Sequence, residues 1–396
     1  MGSGRRALFQ ALKAGTSGRK RITLFDPSPY PVEFGGQAEC KGPWPAGWEG
    51  LGRAARLLLL ASSQALTEAG VGWDSVSAER AAVVVGTGMV EPLWVEEVVR
   101  AQVSGREPPP APGAWGLPGA LPCDLAPLVA RAFGFQGPCL GTPVACSASA
   151  FALAAGLELI RQGRVDLVLA GGTESLNETA MAGFARLGAL DPERCRPFDR
   201  ERQGIMVGEG ACMMVLESFA SARRRGRRPL GVLAGYGLSS DSCHPVAPDP
   251  SGEGVALAMQ RALADAGLGP DEVDFISAHG TGTPLNDRVE TLAVRRALGG
   301  RAGAVALSAT KSMLGHTGGA AGAFGAAAAL LAVNAGWLSP TINYRHPDPD
   351  CDLECVANRA RRIRVRAALA NALAFGGSNV CLAFRPWNRT HWSGTG

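Results

Sequence analysis

The sequence predicts a layered α/β protein made of two similar halves, and three observations predict it. Short apolar runs that stop at glycine alternate with longer segments of helical periodicity. The helical segment RAARLLLLASSQALTEAG from Arg53 lies ahead of the strand-like AAVVVGTG, and GEGVALAMQRALADAG from Gly252 lies ahead of VDFISAHG, so a half-domain is duplicated. Of the 396 residues, 46% are AVILMFWYC and only 19% are charged, which suits a large buried core and excludes a disordered chain.

In chain order, the helix from Arg53 carries apolar residues at three- and four-residue spacing and stops at Gly70. The strand AAVVVGTG, around Val83, follows it. EPPPAPGAWGLPG, from Glu107, is a surface excursion, because a proline-rich stretch satisfies neither helix nor central-strand hydrogen bonding. TPVACSASAFALAAGLELI turns from a β-type segment through small residues into a helical pattern with Phe151, Leu153, Leu157 and Ile160. VDLVLAGGTE, around Val168, and GVLAGYG, around Val232, are strands, with RRRGRRP from Arg223 as the solvated turn between them. The helix from Gly252 stops at Gly267, and the strand of Phe275 runs into a loop rich in glycine and threonine. The expected halves are residues 1–225 and 226–396.

A net charge of +4 is too small for this length to imply nucleic-acid binding. Ten cysteines form no compact framework, and with no secretory signal and no apolar run of about 18 residues the expectation is a soluble, cytoplasmic, thiol-reduced protein away from membranes. Cys351, Cys355 and His346 lack the paired spacing of a zinc site, so no metal is expected. A dinucleotide site in VVVGTGMVE fails at Glu91, and no GxSxG elbow appears.

Three residues carry the chemistry. Cys146 falls where a strand gives way to a helix, and a thiol there meets the positive end of the helix dipole and free backbone N–H groups that favour a thiolate. Taken alone the signal is weak, because a buried structural cysteine is the more common outcome. His279 in SAHGTGTPLND and His316 in SATKSMLGHTGG occupy strand-end loops, where α/β folds assemble their sites. Each could merely stabilise its loop, but a cysteine with two such histidines is a constellation.

VACSASA, AHGTGTPLND, TKSMLGH and NALAFGGSN, with GGTES and RPFDRERQGIMVGEGA, together resemble the ordered motifs of the discrete β-ketoacyl-(acyl carrier protein) synthases, including polyketide ketosynthases, from about Ala7 to about Phe384. The resemblance implies a thiolase fold, two pseudo-symmetric α/β halves in a five-layer αβαβα architecture. It also implies an acyltransferase that condenses an acyl group held on Cys146 with malonyl-ACP, losing carbon dioxide. His279 and His316 would bind the malonyl carbonyl, Lys311 would support them, and the backbone N–H groups of Cys146 and Phe375 would form the oxyanion hole, Phe375 doubling as a gate. Thr281 and Thr283 match threonines that hold the phosphopantetheine arm, although both could be ordinary turn residues. Lys311 could equally ion-pair with Glu290.

The implied partners are an acyl carrier protein and a second subunit, identical or a ketosynthase-like chain-length factor; no cofactor is implied beyond the carrier's own arm. Arg53, Arg56, Arg196 and Arg202 match or neighbour basic positions around the family's entrance and are candidates for carrier docking. Acyl transfer to another acceptor, or activity only beside a non-catalytic chain-length factor, are the alternative functions. Three departures stand out. Ala374 replaces a glycine usual before the gating phenylalanine, and alanine tolerates positive φ poorly. Gln203 and Ile205 replace acidic and aromatic residues, which bears on acyl preference. Only MGSGRR precedes the helix resembling ALFQALKAGTSG, where the family has a strand and a VTGxG turn, so another segment fills a central-strand place or the chain starts after it.

Overall fold

The computed structural model describes residues 2–40, 44–72, 75–89 and 91–388. The first sheet holds four strands, β1 (Ala81–Gly86), β2 (Cys139–Thr142), β3 (Leu167–Glu174) and β4 (Gly210–Glu217), in the order β2-β1-β3-β4. β1 runs parallel to β2 and β3, and β4 returns antiparallel to β3. The second sheet holds β5 (Val232–Ser240), β6 (Val273–Ser277), β7 (Ala306–Ser308), β8 (Ala367–Leu373) and β9 (Ser378–Arg385), in the order β7-β6-β8-β9-β5. β6 is parallel to β7 and β8, while β9 is antiparallel to both β8 and β5.

Both sheets present apolar side chains on two faces, so both need cover on two sides. α1 (Arg53–Ala69) and α2 (Leu125–Phe133) cover the outer face of the first, where Leu58, Leu59, Leu125 and Leu128 pack on Val83, Val85 and Leu169. α4 (Glu253–Asp265) and α5 (Pro284–Leu298) cover the outer face of the second. Between the sheets lie α3 (Ala148–Arg161) and α6 (Ala321–Ala335), sharing one core with Val84 and Val168 below and Phe275 and Leu382 above. The result is five layers, αβαβα. Small residues make the centre possible: a Cβ on Gly322 of α6 would stand 2.8 Å from the Cβ of Ala150 on α3.

Two expectations are corrected. The stretch Gly318–Ala335 is apolar and long enough to cross a membrane, yet it forms the central layer and is mostly buried there. The place without a strand in the first half corresponds to β5, an edge position beside β4 rather than a central one. The proline-rich excursion folds into a small antiparallel ladder, Gly113–Ala114 with Leu117–Pro118, joined by Trp115 and Gly116 at positive φ. The arginine run ends the helix Phe219–Arg224, and Arg225 is anchored on Glu217 and on the carbonyls of Ala69 and Gly70.

Candidate active site

The site lies where loops from both halves meet over the ends of the two central helices. β2 ends at Thr142, and the chain turns through Ala145, held at φ 42°, into the short helical turn Ala145–Ser147 that opens α3. An alanine there is strained, and the strain sets Cys146 at the head of the helix. The thiol is buried, and the N–H groups of Phe375 and of Cys146 itself are directed at it. Burial pushes the thiol up to about 11, with ionised Glu174 adding to the rise and Lys311 opposing it.

His279 and His316 approach edge to face, ring centroids 5.6 Å apart. His279 follows β6, where its N–H and that of Gly280 each donate to the Glu290 carboxylate at 2.8 Å. Asn371 of β8 donates to the same carboxylate at 3.0 Å. Lys311 Nζ donates to Nδ1 of His279 at 3.3 Å and to its carbonyl oxygen. His316 is fixed by its N–H to the Met206 carbonyl and by the Gly208 N–H to its own carbonyl, while its Nδ1 accepts the Gly318 N–H at 3.2 Å. Each Nδ1 is therefore an acceptor, which assigns the proton to Nε2 on both rings. Burial and the Lys311 cation hold both imidazoles well below their ordinary value, so both are neutral donors at pH 7.

Phe375 stands at the mouth, 39% exposed, in the short turn Phe375–Gly377. Phe184 bridges it to His316, with centroid distances of 6.0 Å and 6.4 Å. The Thr281 and Thr283 hydroxyls are 2.8 Å apart. Asp287, which sequence reasoning did not single out, organises their loop: fully buried, it accepts N–H groups from Phe198 and Gly282 and the amide of Asn286, with Arg202 at 3.8 Å. Glu174 and Asn371 were also missed, although both sit in quoted motifs.

The structure corrects several expectations. Lys311 does not ion-pair with Glu290; it reaches His279, and Glu290 is filled by backbone and amide donors. Arg196 and Arg202 are buried in ion pairs with Asp191 and Asp348, and Arg53 is held by Glu209. None of these three offers a free charge to a carrier, and Arg56 donates to the Glu49 carbonyl beside the Trp44 ring. Ala374 adopts φ −133°, ordinary extended backbone; the positive φ values fall on Gly376 and Gly377. Ile205 is buried in an apolar cluster with Leu190 and Val207, and Gln203 is exposed.

A thiol at a helix head, two neutral imidazole donors and a buried lysine between thiolase-like halves define a condensing acyltransferase. The family model for the β-ketoacyl synthase N-terminal domain matches residues 3–222, and that for the C-terminal domain matches residues 230–345. The chain is 41% identical to nodulation protein E of Rhizobium sp. (strain N33) over 84% of its length and 82% of that protein's. It is 35% identical to 3-oxoacyl-[acyl-carrier-protein] synthase 2 of Synechocystis sp. over 96% and 93% of the two chains. A solved structure described as the ishigamide ketosynthase/chain length factor superposes with a TM-score of 0.88 at 36% identity, covering 98% of this chain and 96% of the other. The chain belongs to the β-ketoacyl synthase family, and its fold is the thiolase fold.

Proposed function

We propose that this β-ketoacyl synthase takes an acyl group from an acyl carrier protein onto Cys146 and extends it with malonyl-ACP, in fatty acid or polyketide synthesis. The observation that supports this most is the pair of buried rings, each held as an Nε2–H donor by its own partner, Lys311 for His279 and Gly318 for His316.

In the first half-reaction the Cys146 sulfur attacks the thioester carbonyl of acyl-ACP. The N–H groups of Cys146 and Phe375 receive the oxyanion. The intermediate collapses, the carrier thiolate leaves, and the proton surrendered by Cys146 ends on the carrier thiol. In the second, the malonyl thioester carbonyl accepts hydrogen bonds from His279 and His316 Nε2–H, the bond to the carboxylate breaks, and carbon dioxide departs. The electron pair remains as an enolate, whose charge the two buried donors offset. The enolate carbon attacks acyl-Cys146, a carbon–carbon bond forms, and the sulfur leaves as thiolate beside Lys311.

Thr281 and Thr283 hold the phosphopantetheine arm, Phe375 gates the entry of malonyl-ACP, and Glu290 fixes the His279 loop. The steps balance without a metal or redox group, the only carrier being the ACP arm. The two halves divide at 225/226. The enzyme works in the cytoplasm beside a second subunit, identical or a chain-length factor, the latter reading supported by the solved relative named for both parts. Intact-mass spectrometry of the protein and Cys146→Ala, after incubation with a panel of acyl-ACPs and a malonyl-ACP chase, tests the reading. The expected result is an adduct on wild type alone that converts to β-ketoacyl-ACP; an adduct that malonyl-ACP never discharges would reassign the chain to transfer onto another acceptor.

A further inference from the structure

One buried carboxylate at the site has no part in these steps. Glu174 ends β3, with its Oε2 accepting the N–H groups of Gly88 and Gly319, each at 2.8 Å, and its Oε1 accepting that of Met89 at 3.0 Å. Gly88 and Met89 follow β1 in the first half, whereas Gly319 belongs to the turn after His316 in the second. One carboxylate therefore ties the halves together across the site. The packing is close: Gly318 sits at φ 50°, and a Cβ there would fall 2.6 Å from Glu174 Cγ. Gly318 is also the residue whose N–H caps Nδ1 of His316.

We propose that Glu174 is a positioning residue for decarboxylation: by holding Gly319 it fixes the Gly318 N–H that keeps His316 in its Nε2–H tautomer. The inference rests on the reading of His316 as a donor to the malonyl carbonyl. Without the carboxylate the two-glycine turn loses its anchor, Gly318 is free to swing away, and the two ring nitrogens compete for one proton. An Nδ1–H ring presents a lone pair, not a donor, to the carbonyl oxygen. Burial lifts Glu174 to about 7 while the three N–H groups pull it down, so a substantial share of the molecules carry its charge at neutral pH.

The same charge opposes the Cys146 thiolate, and this separates positioning from mere scaffolding. Glu174→Ala removes the opposing charge and the anchor together. Loading of Cys146 from acyl-ACP should hold or accelerate, while carbon dioxide release from malonyl-ACP should fall by about 100-fold, the scale of a small misplacement of a reacting group. Glu174→Gln keeps one oxygen able to serve both Gly88 and Gly319 and loses only Met89, so it should recover most of the release rate.

The test is to time both half-reactions in the three proteins and to record nitrogen-15 spectra of histidine-labelled samples, assigning the His316 ring with His316→Ala. The expected result is an Nε2–H ring in wild type and Glu174→Gln, a mixed or Nδ1–H ring in Glu174→Ala, and rates that move apart. An unchanged ring, or two half-reactions that fall together with melting temperature, would overturn the proposal. A displaced ring with carbon dioxide release unaffected in both Glu174→Ala and His316→Ala would instead sink the donor role of His316, leaving Glu174 as the group that sets the ring. Should Glu174→Ala not fold, Glu174→Asp, whose carboxylate is drawn back by one methylene from the oxygen position that Gly88 and Gly319 share, carries the same test.

Discussion

The two halves of this molecule share a plan and differ at its edges and in its loops. β4 and β9 occupy equivalent places, each antiparallel to its neighbour, but β9 is covered by β5 on its far side and β4 has no strand there among the described residues. From Asn379 to Phe384 β9 is wholly buried, whereas Met214, Val215 and Leu216 of β4 are partly exposed although both faces of that strand are apolar. The loops diverge further. The first half spends its strand-to-helix turn on a strained backbone that presents one sulfur; the second spends its loops on hydrogen bonds that fix two rings and a lysine. On the proposed reading, equivalent scaffolding supports a nucleophile on one side and an electrostatic site on the other, and the proposed chemistry needs both because neither half holds a complete set.

The largest effect should come from breaking that division of labour. Cys146→Ala should abolish acyl loading outright while leaving carbon dioxide release from malonyl-ACP measurable, since the rings belong to the other half. His279→Ala should do the reverse, keeping loading within a few-fold and lowering condensation by about 10² to 10⁴, the usual worth of a positioned proton donor. Rapid-quench assays of each half-reaction check both, and equal loss of both steps in either variant would show that the halves are not chemically separable.

A smaller effect concerns the sulfur itself. Because burial raises the Cys146 thiol to about 11, the neutral form dominates below that pH, and alkylation by iodoacetamide should climb with pH through 9 without levelling. Lys311 pulls in the opposite direction, so Lys311→Met should move the thiol higher still and slow alkylation at every pH. Peptide mapping is needed to separate Cys146 from the exposed Cys123, Cys139 and Cys243. A plateau near pH 8 would mean that the helix head and the N–H groups outweigh burial.

Much of this site was legible because its key residues are set by local pattern. Cys146, His279 and His316 each follow a strand-like run and precede small residues, and the layers follow from alternating strand and helix periods. What could not be read depends on partners far along the chain. Arg202 reads as a surface cation until Asp287 and Asp348 are found beside it, 85 and 146 residues away by number. Glu174 lies in a visible motif, yet its bond to Gly319 spans 145 residues. The Glu290 pairing suggested for Lys311 failed for the same reason: charge alone pairs the two, whereas the fold gives that carboxylate three other donors and sets Lys311 on His279. The edge beside β4 is a subtler case, since the sequence does not show that the counterpart of β5 would stand at the border of the sheet rather than inside it.

Amide exchange sharpens the comparison of the edges. β9 is paired on both sides and β4 on one, so about half of the β4 amides point away from any ladder. Those amides should exchange well ahead of every amide in β9, a difference that hydrogen–deuterium exchange with fragment-level resolution can record. Equal protection would mean that a further strand, from this chain or a second copy, covers β4 in solution.

The smallest effect is the most local, and its sign differs between the halves. Ala145 sits at φ 42° beside Cys146, where a Cβ is unfavourable by about 1–2 kcal/mol, and Ala374 sits at φ −133° beside Phe375, where it is not. Ala145→Gly removes the strain but adds freedom to the unfolded chain, a cost of about 0.4–1 kcal/mol that leaves a net gain in stability of several tenths. Ala374→Gly adds the same freedom with no strain to relieve, so it should lose about 0.4–1 kcal/mol with both half-reactions unchanged. Urea unfolding of the two variants side by side settles the signs. If both destabilise, the elbow at Cys146 is held by packing rather than strained; if Ala374→Gly alters malonyl-ACP turnover, the gating proposed for Phe375 depends on backbone freedom that the resting geometry does not require.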